Sequence, residues 1–299
     1  MNPLLSLTNR EVYSIPMVLL VGWRGEPKIN DHAQHQKQGK ITPDLFQIMD
    51  IPYRILDRDD QSAIESTRWA IRHAKTTNNP TALIAKKGLF EKGKENNTID
   101  MDIYCFNRET AIKCIVEYLP KETIYVATTG RATRELYYLR EDLNDGHKND
   151  FLNVGAMGHT SQIAMGIALG NIKRLVVCLD GDASAIMHLG GFSTIGMVRP
   201  SNLLHLVLNN GVHESVGGQH SAGYHINFTA IAEKSGYVTI GKAVKTKQEL
   251  CEAINYLIKL KSPAFIDIHI QKGTRSNLKA LNDDLLLLKE EFMKTLAAE

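Results

Sequence analysis

Two short polar segments stand at the ends of two apolar runs: Gly181, Asp182, Ala183 and Ser184 follow the run at 175–179, and Asn209 with Asn210 follows the run at 203–208. Runs this short and this apolar read as buried strands of a parallel sheet, so their polar ends emerge together at one edge. That edge is where open α/β sheets bind ligands. A carboxylate at Asp182 and an amide oxygen at Asn210, brought from neighbouring strand ends, are the hard oxygen ligands that a magnesium ion takes, commonly shared with a phosphate. Gly181 lets the backbone approach a diphosphate closely, and Ser184 with the amides around it can donate to the diphosphate oxygens. Gly-Asp alone is also an ordinary turn pair. The paired asparagines and the GVHESVGG that follows outweigh that reading.

A second polar group lies near the N-terminus, where GWRGEP and HAQHQKQG put Trp23, Arg24, His32 and His35 on a loop expected to run from 24 to 39. Loops after strand ends commonly carry substrate contacts in α/β domains. His35 is the candidate for substrate contact or proton transfer, and His32 reads as a solvated surface histidine. With no third ligand nearby, the two histidines do not make a zinc site.

The elements that must place these residues follow from alternation along the chain. Between 1 and 87, IPMVLLVGW, IPYRIL and TALIAKK alternate with helical stretches around 42–49 and 59–74. Residues 88–102, GLFEKGKENNTIDMD, are polar, charged and without periodicity, as in a linker. From 103 to 299, TIYVATT, RLVVCL, LLHLVLN and AFIDIHI alternate with helices starting at Arg131 and spanning 185–197 and 248–260. Strands alternating with helices predict parallel sheets, so the fold class is α/β with two domains, 1–87 and 103–299. The C-terminal LNDDLLLLKEEFMKTLAAE predicts a helix that packs its leucines and Phe292 on the body.

Composition narrows the function classes. In 299 residues, 35 lysines and arginines nearly balance 33 acids, which argues neither for a nucleic-acid binder nor for an acidic-substrate funnel, and no nucleic-acid partner is expected. Cys105, Cys114, Cys178 and Cys251 lack zinc-ligand spacing and read as reduced thiols of a cytoplasmic protein. The N-terminal apolar run at 15–23 is too short to span a membrane.

The segments VGAMGHTSQIAMGIALG, GDASAIMHLGGFSTIG, LNNGVHESVGGQ, TTGRATRELYYLRE, IPMVLLVGWRGEP and QHQKQGKIT together resemble the phosphonopyruvate decarboxylase family of thiamine-diphosphate enzymes. The resemblance covers nearly all of the chain, and the sulfopyruvate decarboxylases share much of the pattern. GDAS followed by NNG is similar to the diphosphate and magnesium signature of thiamine-diphosphate enzymes, with Ala183 where that signature has glycine. The resemblance implies two parallel-sheet domains of the thiamine-diphosphate-enzyme type, a pyrimidine-binding one that is incomplete and a diphosphate-binding one. It implies Asp182, Asn210 and the carbonyl of Val212 as magnesium ligands. Thr129, Gly130, His159, Gly181, Ala183 and Ser184 fall where the family approaches the cofactor, Met157 where an apolar residue props the thiazolium ring, and His35 on a glutamine-histidine position. The implied reaction is decarboxylation of 3-phosphonopyruvate to phosphonoacetaldehyde and carbon dioxide. A homo-oligomer is implied as well, because cofactor sites in this family form between domains of different subunits.

The same resemblance implies a glutamate, bonded to the cofactor's aminopyrimidine, in the part of the pyrimidine-binding domain that precedes an NPLxSLT segment. That segment is MNPLLSLTN here, so the glutamate is expected outside this sequence. Three readings follow: a shortened product of a longer gene, a subunit whose missing half-domain a separate chain supplies, or a remnant that binds the cofactor without turnover. A nucleotide-dependent dehydrogenase would need a G-x-G-x-x-G turn after an early strand, which is absent.

Overall fold

The computed structural model describes residues 1–91, 104, 106–281 and 283–297. Of the expected linker, 92–102 lies outside the described residues, as does Cys105. The chain divides into two compact units, Met1–Asn96 and Asn97–Glu299.

In the first unit, α1 (Asn2–Thr8) precedes β1 (Met17–Gly22), α2 (Ala33–Ile48), β2 (Tyr53–Leu56), α3 (Asp60–Thr77) and β3 (Pro80–Ala85). The three strands pair in parallel in the order β1-β3-β2. The central strand β3 is buried throughout, as a parallel strand covered on both faces must be. Phe46 of α2 packs with Ala82 and Ile84 on one face; Ala70 of α3 packs with Leu56, Leu83 and Ala85 on the other. Strand β1 alternates instead: Leu19 and Val21 join the first cluster, while Val18 is 38% and Leu20 61% exposed.

The polar loop expected over 24–39 ends at His32, because α2 begins at Ala33 and takes in His35. Ala33 to Gln38 are mostly good helix formers, but too polar to display an apolar stripe. Gly39 reads as a breaker yet sits inside the helix. The loop main chain crosses there, and a Cβ on Gly39 would overlap the carbonyl oxygen of Gly25.

The second unit runs α4 (Arg108–Tyr118), β4 (Ile124–Ala127), α5 (Arg131–Leu143), β5 (Asp150–Leu152), α6 (Thr160–Gly170), β6 (Val176–Gly181), α7 (Asp182–Met187), α8 (Gly191–Val198) and β7 (Leu203–Asn209). The short hairpin β8 (Val212–His213) and β9 (Gln219–His220) follows, then α9 (Phe228–Ser235), α10 (Lys247–Leu257), β10 (Ala264–His269) and α11 (Leu285–Ala297). Five strands form a parallel sheet in the order β10-β7-β6-β4-β5. Alternate residues of the buried runs serve opposite cores. Val177 and Leu179 join Ile112, Leu136 and Ile254 on one face; Val176 and Cys178 join Ala164, Phe192 and Phe228 on the other.

The single helix expected over 185–197 is two helices, α7 and α8, separated at residues 188–190. Two consecutive glycines, Gly190 and Gly191, carry the lowest helix propensity of any residue but proline, and the chain turns there. Helix α11 packs on the body as expected, with Phe292 buried and its ring 5.7 Å from that of Phe151. Cys114, Cys178 and Cys251 are free thiols, and the Sγ atoms of Cys114 and Cys251 lie 3.3 Å apart between α4 and α10.

Helices α8 and α9 meet at Gly196, where an added Cβ would overlap the carbonyl oxygen of Ser235. Gly196→Ala is expected to cost about 1–3 kcal/mol, read as a lower urea midpoint at unchanged m-value. Gly170→Ala, whose Cβ would meet nothing within 4 Å, is expected to keep or raise the midpoint.

Candidate cofactor and metal site

Strand order in the second unit reverses between β4 and β6, and ligands of open parallel sheets bind outside the carboxyl ends at such a reversal. The ends of β4, β6 and β7 bring residues 128–130, 181–184 and 209–212 to that edge. Their hydrogen bonds show how closely they converge. Thr128 Oγ1 donates to Ser184 Oγ at 2.9 Å, and the Gly158 N–H donates to the same oxygen at 3.1 Å. The Gly155 N–H donates to Thr129 Oγ1 at 3.0 Å. The loop holding Met157 and His159 is thereby tied to both strand ends. Gly130, at φ +107°, takes a backbone conformation that side chains disfavour, with Ser215 against it.

Asp182 is buried at the start of α7. Burial raises its carboxyl above the ordinary aspartate pKa; the Ser221 hydroxyl and the N–H groups of Ala183, Asn210 and Asp182 itself oppose that rise. Ser221 Oγ donates to Asp182 Oδ2 and accepts from the Gly223 N–H at 3.0 Å, which draws the segment after β9 over the acid. Ala183 lies within α7 at no positive φ, so the alanine in place of glycine introduces no backbone strain.

The two asparagines divide. Asn209 donates through Nδ2 to the Gly223 carbonyl at 3.0 Å and to Asp267 Oδ1 at 3.2 Å, bracing the loop against β10. Asn210 accepts the Val212 N–H at Oδ1, 3.2 Å, and donates from Nδ2 to Glu214 Oε2 at 3.0 Å. Met157 is half-buried. His159 is exposed at the N-cap of α6, its ring 4.2 Å from that of His188, and it makes no side-chain cap bond. A buried acid whose charge is disfavoured, an amide oxygen at the next strand end, and glycines and hydroxyls between them suit a diphosphate bridged by a hard cation.

His35 belongs to the first unit. Its Nδ1 lies 2.9 Å from Asp31 Oδ1 and 3.2 Å from Arg24 Nη2. Asp31 also accepts the N–H groups of Gly25 at 2.9 Å and His32 at 2.8 Å. These bonds, that of His35 foremost, hold its carboxyl well below the usual carboxylate range. With Nδ1 engaged, Nε2 is the ring nitrogen left for a ligand. His32 is exposed. Among the described residues, the one cluster of three His, Cys, Asp or Glu side chains close enough to share a metal ion is Cys178, Asp180 and His205, inside the core, where His205 Nε2 stands 3.5 Å from Asp180 Oδ2. Sequence reasoning missed Asp31, Glu214 and Ser221. Asp31 and Glu214 each stand four residues from the candidate they bond, His35 and Asn210, whereas Ser221 has no such local partner.

For a carboxyl whose folded pKa is raised, the stabilising contribution is full below the unfolded pKa, about 3.9, and is lost as pH rises through the folded value. At neutral pH the Asp182 charge therefore opposes folding. Asp182→Asn is expected to raise the Tm of the cofactor-free protein at pH 7, the gain shrinking as pH falls towards 4, in scanning calorimetry across that range. A variant less stable at pH 7 would contradict this.

Residues 130–268 match the family described as "Thiamine pyrophosphate enzyme, C-terminal TPP binding domain". The chain is 33% identical over 291 residues to the phosphonopyruvate decarboxylase of Streptomyces viridochromogenes, covering 93% of this chain and 71% of that protein. It is 32% identical over 292 residues to the phosphonopyruvate decarboxylase of Streptomyces hygroscopicus, covering 93% and 70%. The sulfopyruvate decarboxylase subunit beta of Methanocaldococcus jannaschii is 36% identical over 130 residues, 43% of this chain and 66% of that subunit. The matched segment begins just after β4 and takes in β6 and β7 together with Gly130, Asp182, Asn210 and Val212. The chain belongs to the phosphonopyruvate decarboxylase family of thiamine-diphosphate-dependent enzymes.

Proposed function

We propose that this chain acts in the thiamine-diphosphate- and magnesium-dependent decarboxylation of 3-phosphonopyruvate to phosphonoacetaldehyde and carbon dioxide. The observation that carries the reading is the convergence of buried Asp182, Asn210 and Ser184 at the strand-order reversal of a domain that matches thiamine pyrophosphate enzymes. Asp182, the Asn210 amide oxygen and the Val212 carbonyl hold the magnesium ion. Thr129, Gly130, Gly181, Ala183 and Ser184 surround the diphosphate, and Met157 supports the thiazolium ring. When bound, thiamine diphosphate supplies the nucleophilic carbon and the electron sink that loss of carbon dioxide requires. His35, fixed through Nδ1 by Asp31, would hold or deliver a proton at Nε2, and His159, in the second unit, would be a polar group beside the cofactor.

Sulfopyruvate is the second substrate reading, because the match to a sulfopyruvate decarboxylase subunit is the higher in identity, though over less of the chain. The relatives matched over 93% of the chain favour the phosphonate. We place the protein in the cytoplasm on its free thiols, Cys114, Cys178 and Cys251. No helix among the described residues is long and apolar enough to cross a membrane. We further propose a homo-oligomer, or a complex with a second chain that completes the site. The apolar side chains of Val18 and Leu20 support this, since parallel sheets are ordinarily covered on both faces.

Calorimetric titration of thiamine diphosphate with Mg2+ into this protein and into Asp182→Ala tests the reading, with carbon dioxide release from both acids measured alongside. Mg2+-dependent binding, lost in the variant, and a kcat/KM at least about tenfold higher for phosphonopyruvate are expected. Binding without carbon dioxide from either acid identifies a non-catalytic binder, and faster turnover of sulfopyruvate selects the second substrate.

A further inference from the structure

We infer that Glu214 is a positioning residue that decides which end of the Asn210 carboxamide is presented to the metal ion. The inference rests on the reading of Asn210 as a ligand. An asparagine side chain has nearly the same shape either way round, but only its oxygen binds a cation. Here Nδ2 donates to Glu214 Oε2 at 3.0 Å while Oδ1 accepts the Val212 N–H at 3.2 Å. The oxygen has a second lone pair to offer. Turned over, the carboxamide would set oxygen against carboxylate and NH2 against N–H, losing both bonds.

Glu214 has no freedom to follow such a turn, because four donors fill its two oxygens. Oε2 accepts Arg108 Nη1 at 2.8 Å as well as Asn210, and Oε1 accepts the Gly273 N–H at 2.6 Å with Arg131 Nη1 at 3.1 Å. Arg108 is fixed in turn by Glu135, at 2.6 and 2.9 Å, and by Thr274 Oγ1 at 2.8 Å. One carboxylate thus joins α4, α5, the segment after β10 and the loop after β7. Nothing but a carboxylate of this length serves: a glutamine would set its NH2 against two donors in either orientation.

The test is the Mg2+ affinity of the full chain at saturating thiamine diphosphate, by calorimetry, for Glu214→Gln, Asn210→Ala, the double variant and Asp182→Ala. Glu214→Gln is expected to weaken Mg2+ binding about 10- to 100-fold, the range for groups that orient a metal ligand. Because Glu214 acts through Asn210, the double variant is expected to bind within about twofold of Asn210→Ala alone. A role confined to holding the fold would multiply the two losses, and that result, or wild-type affinity in Glu214→Gln, overturns the inference. Should the glutamine variant not fold, Glu214→Asp keeps the charge, shortens the reach to Asn210 and carries the same cycle with the same expectation. If Asp182→Ala binds Mg2+ normally, the metal-site reading itself has failed. If Asp182→Ala abolishes binding and the Glu214 variants leave it unchanged, only the role of Glu214 has.

Discussion

Asp182 sits where burial works against its charge, and the surroundings in the second unit answer that cost. A carboxyl at the end of β6 is held by main-chain N–H groups on two strand ends and by Ser221, so its oxygens are aimed before any ligand arrives. Those donors lower its pKa without cancelling the rise that burial causes. What remains is a site whose most favourable occupant is positive charge. Preorganisation of this kind would shift the work of assembling the proposed metal centre from the binding step to folding, where the five-stranded sheet supplies the rigidity.

Around that acid the polar chemistry is arranged by reach. Glu214 and Arg108 connect helices, a hairpin and the segment after β10 that lie far apart in sequence. Burial disfavours the Arg108 charge, and Glu135 with Glu214 outweighs it. Buried ion pairs seldom add much net stability over well-packed apolar residues. Their use here is geometric: the network fixes four elements in one arrangement and admits few alternatives. Arg140 does the same at a distance from the site, gripping Asp150 with two bonds of 2.9 and 3.0 Å to hold β5 against α5.

The sheet of the second unit and its ligand edge were legible because two apolar runs end in oxygen-bearing side chains, a pattern that depends only on neighbours in sequence. Asp182 and Asn210 stood out on chemistry, whereas Met157 and His159 came from the family resemblance. The start of α2 was hidden by its polarity, and the break between α7 and α8 lay in a glycine pair read as part of one helix. Asp31 had a weak local signal. Ser221 had none, its partner lying 39 residues away, and Glu214, though four residues from Asn210, is held by Arg108 at a separation of 106 that no local pattern reveals. Gly25 and Gly39 look like flexible positions in the sequence, yet the structure uses them for a crossing of main chains in which neither tolerates a side chain.

Asn209 and Asn210 are adjacent and identical, yet they belong to different parts of the molecule. The first closes β7 and spends its amide on Gly223 and Asp267; the second lies just past the strand and gives its amide to Glu214. Successive residues leave a strand on opposite sides, so the two cannot exchange tasks. A doubled letter therefore carries two tasks, one bracing the loop against the sheet and one facing Glu214, and they meet only where Asn209 Oδ1 accepts the Gly211 N–H at 3.3 Å.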